Sequence, residues 1–334
     1  MWQMRFVLWA GLWAVWLTAC GGGAGETAVS LSPPSTSATT LTLPTLEPVA
    51  LDGGKLRVVA TTSIIGDVVA QVGDQAIDLT TLMAAGQDPH SYQPGAGDLT
   101  AVANAHIIFS NGWNLEEGLL DDLANIAENA PLVPVSAGVV PRLLGDDHED
   151  DHEHGAVDPH VWLDPANVTI WVGNIEQVLS QLDPDNAAVY KQNAARYAAQ
   201  LDQLARDMEG RLTAVPEARR VLVTNHDALG YFAARYHFTV LGTVIPAAST
   251  LAEPSASDLV ALVAAMEEAG VCVLFAETTA SGQLETAVAN ELDTCDAVQI
   301  LTLYTGAIGP VGSGADSYIG MMQANVATFV GGLR

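Results

Sequence analysis

The sequence predicts an α/β protein built as two similar (β/α) lobes with mostly parallel sheets, joined by one long rigid helix. Three observations lead there. Short β-branched runs alternate with stretches of helical periodicity along the body, the pattern of βα units and parallel sheets. Midway, from Asp183 to Val215, no proline follows Pro184 until Pro216, so one helix can run through. A chain of 334 residues, 49% of them hydrophobic, is long enough and apolar enough for about two cores.

The first element is a leader. One basic residue, Arg5, precedes an apolar run from Phe6 to Leu17 that is too short to span a bilayer comfortably, as in a secretory signal. Leu17-Thr18-Ala19-Cys20 resembles the bacterial lipobox, which makes residues 1–19 the signal peptide and Cys20 the lipidated first residue of the mature protein. That predicts an extracytoplasmic protein tethered to the cell membrane by lipid. Residues 20–54 are rich in Gly, Ser, Thr and Pro and read as a flexible linker.

The N-terminal lobe, 55–182, carries strand patterns near Leu56 to Thr61, Asp78 to Met83, His106 to Ser110 and Leu132 to Val135. It also carries Asp88-Pro89-His90 and Asp158-Pro159-His160, two copies of one presentation. Proline fixes φ and stiffens each turn, so each imidazole is held in place before any ion arrives. Two such turns in one lobe suggest two imidazoles aimed at one metal. Between them, 145–155 is a glycine-bounded run of six acids with His148, His152 and His154, expected to be solvated and to gather metal weakly. His106 and His237, each ahead of a strand, read as structural.

The linking helix is placed at 183–215. Tyr190, Ala194, Tyr197, Leu201, Leu204, Met208 and Leu212 recur at spacings of three and four, while Lys191, Arg196, Asp202 and Arg206 face water. At ~1.5 Å per residue it is a strut on the order of 45 Å, long enough to cross both lobes.

The C-terminal lobe, 216–334, has strand patterns near Val221 to Thr224, Thr239 to Ile245, Val271 to Ala276 and Ala297 to Leu301. His226 falls where the first of these turns into a helix, and ligands of open α/β sheets gather outside the carboxyl ends of strands. The helix N-terminus also disfavours its protonation, keeping the ring able to bind metal. Cys272 and Cys295 each open an apolar run, so they are either disulfide-bonded neighbours on adjacent parallel strands or two buried free thiols. Asp316 precedes an apolar helix and is a further ligand candidate, or simply an N-cap.

Taken together, both Asp-Pro-His segments, Ser110 to Glu116, Asn225-His226-Asp227, Ala252 to Ser255 and Gly314 to Tyr318 resemble the zinc/manganese-binding lipoprotein subunits of bacterial ABC importers, the cluster 9 solute-binding proteins. The resemblance spans nearly all of 55–334. It implies a metal site in the cleft between the lobes, held by His90, His160, His226 and Asp316, with Zn²⁺ or Mn²⁺ as transported ligand. It also implies a monomer that hands the ion to a permease and its ATPase. Three neutral imidazoles and one carboxylate suit tetrahedral Zn²⁺, whereas Mn²⁺ prefers more oxygen. Glu277, Asn111 and Trp162 are expected to line the cleft or orient ligands.

A formal charge of −27 argues against nucleic acid, whose phosphates would be repelled, and for cations. Two alternatives remain. His148-Glu149-Asp150-Asp151-His152 matches the zinc-peptidase pattern, which would make the chain a secreted metallopeptidase using His148, Glu149 and His152. That mechanism needs a buried helix face, and this run has no apolar side; a closed four-ligand site elsewhere would leave no room for substrate. A surface adhesin is the other alternative. The chain is therefore read as no enzyme.

Overall fold

Strand and helix alternate throughout the computed structural model, which describes residues 40–127, 130–144 and 156–334. The signal peptide, Cys20, the first part of the linker and the acidic loop with His148, Glu149, His152 and His154 lie outside the described residues.

In the first lobe, β1 (Leu56–Ala60), β2 (Ile77–Thr81), β3 (Ile107–Ser110) and β4 (Leu132–Pro134) form a parallel sheet in the order β2-β1-β3-β4. The helices are α1 (Ser63–Gly73), α2 (Ala96–Ala103), α3 (Leu119–Ile126) and α4 (Pro165–Leu182). In the second, β5 (Val221–Thr224), β6 (Thr239–Thr243), β7 (Val273–Glu277) and β8 (Gln299–Leu303) repeat that order as β6-β5-β7-β8, again parallel. With them go α6 (Gly230–Tyr236), α7 (Ala256–Ala269), α8 (Gln283–Glu291) and α9 (Tyr318–Gly332). Two sheets with one topology mean two equivalent switch points, and ligand-binding side chains gather at such places.

The linking helix is α5 (Ala187–Leu212), shorter than the predicted 183–215. Asp183 is spent otherwise: it ends α4, and its carboxylate accepts from Asn186 Nδ2 and Tyr190 Oη, so Pro184–Asn186 makes one tight corner before α5 starts. The predicted stripe from Tyr190 to Leu212 is buried as expected. Twenty-six residues give a strut of about 39 Å. Asn193 Nδ2 donates to Val72 O on α1, while Arg211 Nη1 donates to Gln323 O on α9, so the one helix is fastened to both lobes.

The linker boundary is corrected. Leu43, Leu46, Val49 and Leu51 pack against the main core, Leu46 N donates to Gln181 Oε1, and Val49 N donates to Leu182 O. Composition pointed to a tether, but leucines spaced through 41–51 offer enough apolar surface to dock the segment on the first lobe.

Direct bonds tie lobe to lobe. Trp162 Nε1 donates to Thr305 O, Tyr318 Oη to Trp162 O, Tyr318 N to Asp67 Oδ2, and Ile308 N to Ser63 Oγ. At about 1 kcal/mol each, with the apolar faces of α1, α5 and α9 between them, they hold the lobes in one arrangement.

Cys272 and Cys295 are joined in a disulfide at the amino ends of the neighbouring strands β7 and β8. The bond closes a loop of sequence separation 23, which in the chain-entropy account is worth about 3 kcal/mol. Replacing both cysteines by alanine should lower unfolding free energy by about that much in urea titration, and reductant should reproduce the loss in the native chain. No change in either experiment would refute the stabilising role.

Candidate metal centre

The two Asp-Pro-His segments fold alike. In each, the aspartate carboxylate turns back to accept the histidine's own backbone N–H, Asp88 Oδ1 from His90 at 3.0 Å and Asp158 Oδ1 from His160 at 2.9 Å. The proline supplies the fixed φ and the Asx turn supplies the closure, so the imidazole position is settled by its own sequence neighbours. Asn111 just past β3 holds the second turn by donating Nδ2 to Pro159 O. His226 comes from the other lobe, two residues beyond β5, with Thr224 Oγ1 donating to its carbonyl.

These three rings meet. His90, His160 and His226 are 3%, 1% and 1% exposed. The Nε2 atoms of His90 and His160 lie 3.2 Å apart, and those of His160 and His226 lie 3.1 Å apart. Three nitrogens at ~2.0–2.1 Å from a tetrahedral Zn²⁺ would be roughly 3.3 Å from one another, so the spacing fits one small cation.

Each ring is oriented from behind by a carboxylate at Nδ1: Glu117 at 3.3 Å for His90, Asp158 at 2.9 Å for His160, and Glu277 at 2.7 Å for His226. A carboxylate there fixes the proton on Nδ1 and turns the Nε2 lone pair inward. Thr305 Oγ1 in turn donates to Glu277 Oε2. Trp162 packs its ring against His160, with centroids 5.3 Å apart.

The electrostatics differ from ring to ring. Burial, then the charges of His226 and His90, push His160 well below the ordinary imidazole range. Burial and His226 likewise lower His90. For His226 burial also lowers, but the Glu277 charge and hydrogen bond, with Asp88 and Asp227, outweigh it and the net shift is upward. Glu277 moves the opposite way: burial raises it, yet His226 and Thr305 bring it below its usual value. Asp158, mainly through burial, is pushed up to about 7.

Asp316 does not join them. It is exposed, its Oδ2 accepts from Gly312 N at 2.7 Å, and the N-cap of α9 is its neighbour Ser317. The carboxylate closes the loop before α9 and is therefore committed away from the cleft, which corrects the expected ligand. Among the described residues the cluster of converging His, Cys, Asp and Glu ligand atoms is His90, His160 and His226 alone. The expected four-ligand shell is not assembled, and the argument against a hydrolase that rested on it falls.

His106 accepts at Nδ1 from Arg57 N, and His237 caps α6 in a left-handed conformation; both stand apart from the triad. Sequence reasoning quoted Asp88 and Asp158 in the motif without assigning them a task, and it missed Glu117 and Thr305. The Asx-turn spacing signals the first two; only the tertiary fold brings in the others.

Comparison with known proteins gives a consistent set of relatives. Residues 58–332 match the family model described as zinc-uptake complex component A, periplasmic (ZnuA). The chain is 34% identical to the manganese-binding lipoprotein MntA of Halalkalibacterium halodurans, over 84% of this chain and 90% of that protein. It is 33% identical to the manganese ABC transporter substrate-binding lipoprotein PsaA of Streptococcus pneumoniae, over 84% and 90%. Among solved structures, the periplasmic zinc binding protein TroA from Treponema pallidum superposes with a TM-score of 0.75 at 30% identity, covering 84% of this chain and 99% of that one.

The His226–Glu277 pair makes a testable statement about pH. A histidine raised above its unfolded value adds stability fully below about pH 6.5 and loses it as pH rises through the folded value. In the metal-free full chain, His226 should titrate above the ordinary imidazole value by NMR. In Glu277→Gln the largest opposition to burial is lost, leaving Asp88 and Asp227 to raise the ring, so His226 should titrate lower than in the native chain. A His226 titration unmoved by that substitution would remove Glu277 as its partner.

Proposed function

Because this chain belongs to the ZnuA family of metal-binding, substrate-binding components of ABC importers, we propose that it captures one Zn²⁺ at His90, His160 and His226 and delivers it to the permease. The observation that carries this reading is the convergence of three buried Nε2 lone pairs from two lobes on one point. Neutral nitrogens facing each other at about 3 Å away from water are unfavourable alone and favourable around a cation.

Three imidazoles are a borderline-soft set that suits Zn²⁺, and Mn²⁺ lies at the weak end of the affinity series. The relatives named above are called manganese-binding and zinc-binding in turn, so Mn²⁺ is the competitor to test. Metal uptake at Nε2 must compete with the second proton of the His226 imidazolium, a form that Glu277 at Nδ1 favours, so affinity should fall with acidity.

The remaining parts of the proposal follow from the chain. Residues 1–19 act as signal peptide and Cys20 carries the lipid, holding the protein outside the cytoplasm as a monomer facing the permease and its ATPase. Among the described residues no helix is long and apolar enough to cross a membrane. The acidic histidine loop collects zinc weakly. Peptidase activity at the triad is disfavoured on access: rings 1–3% exposed have no room for a polypeptide beside them.

The test is metal analysis with Zn²⁺/Mn²⁺ competition, alongside thermal melting. At zinc a thousandfold above Kd, binding to the folded state adds about 4 kcal/mol and should raise Tm by roughly 8 °C. His90→Ala, His160→Ala and His226→Ala should each remove most of the rise. Three variants that melt with the native shift would sink the ligand assignment, and preferential retention of Mn²⁺ in competition would overturn the zinc preference.

A further inference from the structure

The triad is buried, so an ion must reach it from somewhere, and a cavity of about 500 Å³ is lined in part by residues that flank two of its histidines in the chain. Its lining includes Asp88, Asn225, Thr250, Glu253 and Glu285. Asp88 and Asn225 are the chain neighbours that position His90 and precede His226, so two walls of the cavity are continuous with two of the three rings. Thr250 Oγ1 donates to Asp88 Oδ2 at 2.6 Å, bringing the second lobe's loop against the first lobe's turn at this place.

The chemistry of the lining is one-sided. It contains three carboxylates and no basic side chain. Glu285 is 0% exposed, and while its Oε1 accepts from Asn225 Nδ2, its Oε2 has no hydrogen-bond partner. Asn225 Oδ1, also buried, has none either. A buried acceptor without a donor is costly, so this wall calls for a ligand that brings hydrogens or positive charge.

Direct coordination is the wrong picture here, because the carboxylate oxygens do not converge as the histidine nitrogens do. Size favours a larger guest. Six waters at roughly 30 Å³ each make a hydrated ion of roughly 180 Å³, which fits within the cavity. Its polarised waters would donate to the accessible carboxylates of Asp88 and Glu253, with the unpaired Glu285 Oε2 buried just behind the wall drawing positive charge toward it. We propose that this cavity is the antechamber of the histidine site, where a hydrated divalent cation is held through its water shell before it sheds water and passes to the three imidazoles.

This inference rests on the metal-capture reading, and its test separates the two. Hexaamminecobalt(III), which has the shape of a hydrated ion but cannot shed its ligands, is the probe. In stopped-flow zinc capture by the full chain at low ionic strength, the complex should slow capture at least ~3-fold. Glu285→Gln and the exposed Glu253→Gln should each slow capture on the order of 3–10-fold and lose sensitivity to the complex. Glu268→Gln, on the exposed surface outside the cavity, should behave as native. Native capture rates or native sensitivity in both cavity variants would overturn the antechamber. Equilibrium dialysis with the complex should show one bound equivalent fewer in His90→Ala/Glu285→Gln than in His90→Ala; equal binding by the two would also overturn it. Retention of tight zinc by His90→Ala would instead strike the ligand assignment and leave the antechamber standing.

Discussion

Everything in this molecule serves to keep three imidazole nitrogens facing one another where water does not reach. Left to themselves the rings would rotate apart or take protons, and two devices prevent it. A carboxylate behind each ring holds the proton on Nδ1, and burial pushes His160 well below the ordinary imidazole range. His226 is the exception: Glu277 lifts it above the ordinary imidazole value, so it is the ring at which a proton competes most with a metal ion.

Because two of the rings belong to one lobe and the third to the other, the site exists only while the lobes stay in register. The long helix α5 crosses both, and Trp162 serves as a second rivet. Its indole donates to Thr305 O, its carbonyl accepts from Tyr318, and its ring lies on His160. Thr305 also donates to Glu277, which orients His226. A continuous chain of contacts therefore runs from His160 through Trp162, Thr305 and Glu277 to His226, tying the two halves of the site by packing and hydrogen bonds.

Legibility from sequence followed the range of the interactions. The strands, the stripe on α5 and the Asp-Pro-His turns depend on neighbours within a few residues, and their residues announced them. Asp183 misled because an aspartate before proline signals a helix start equally well whether it opens one or ends the one before. The segment 41–51 misled because composition was weighed over a window in which Ser and Thr outnumber the leucines that anchor it. Asp316 was persuasive through its surroundings, but whether a carboxylate at the head of α9 turns inward or closes its own loop is decided by Gly312 and Ser317, not by the motif. Glu117 and Thr305 had no local signal at all, since each meets its partner, His90 or Glu277, through tertiary folding at a sequence separation of 27 or 28.

The loss of Asp316 from the ligand set changes the chemistry of release. With His90, His160 and His226 as the proposed ligands, a tetrahedral ion would keep one position that no converging His, Cys, Asp or Glu among the described residues fills. A closed shell must break a protein–metal bond before the ion can leave, whereas an open position admits an incoming ligand first and lets the histidines dissociate afterwards. Asp88, Glu253 and the buried Glu285 supply negative charge close by, while the nitrogens of the triad are the groups proposed to coordinate directly. Under the proposed reading, borderline-soft nitrogens deep in the cleft and carboxylates acting through water nearer the outside would let a divalent ion exchange water for nitrogen stepwise, so that neither capture nor release would require the whole coordination sphere to be rebuilt at once.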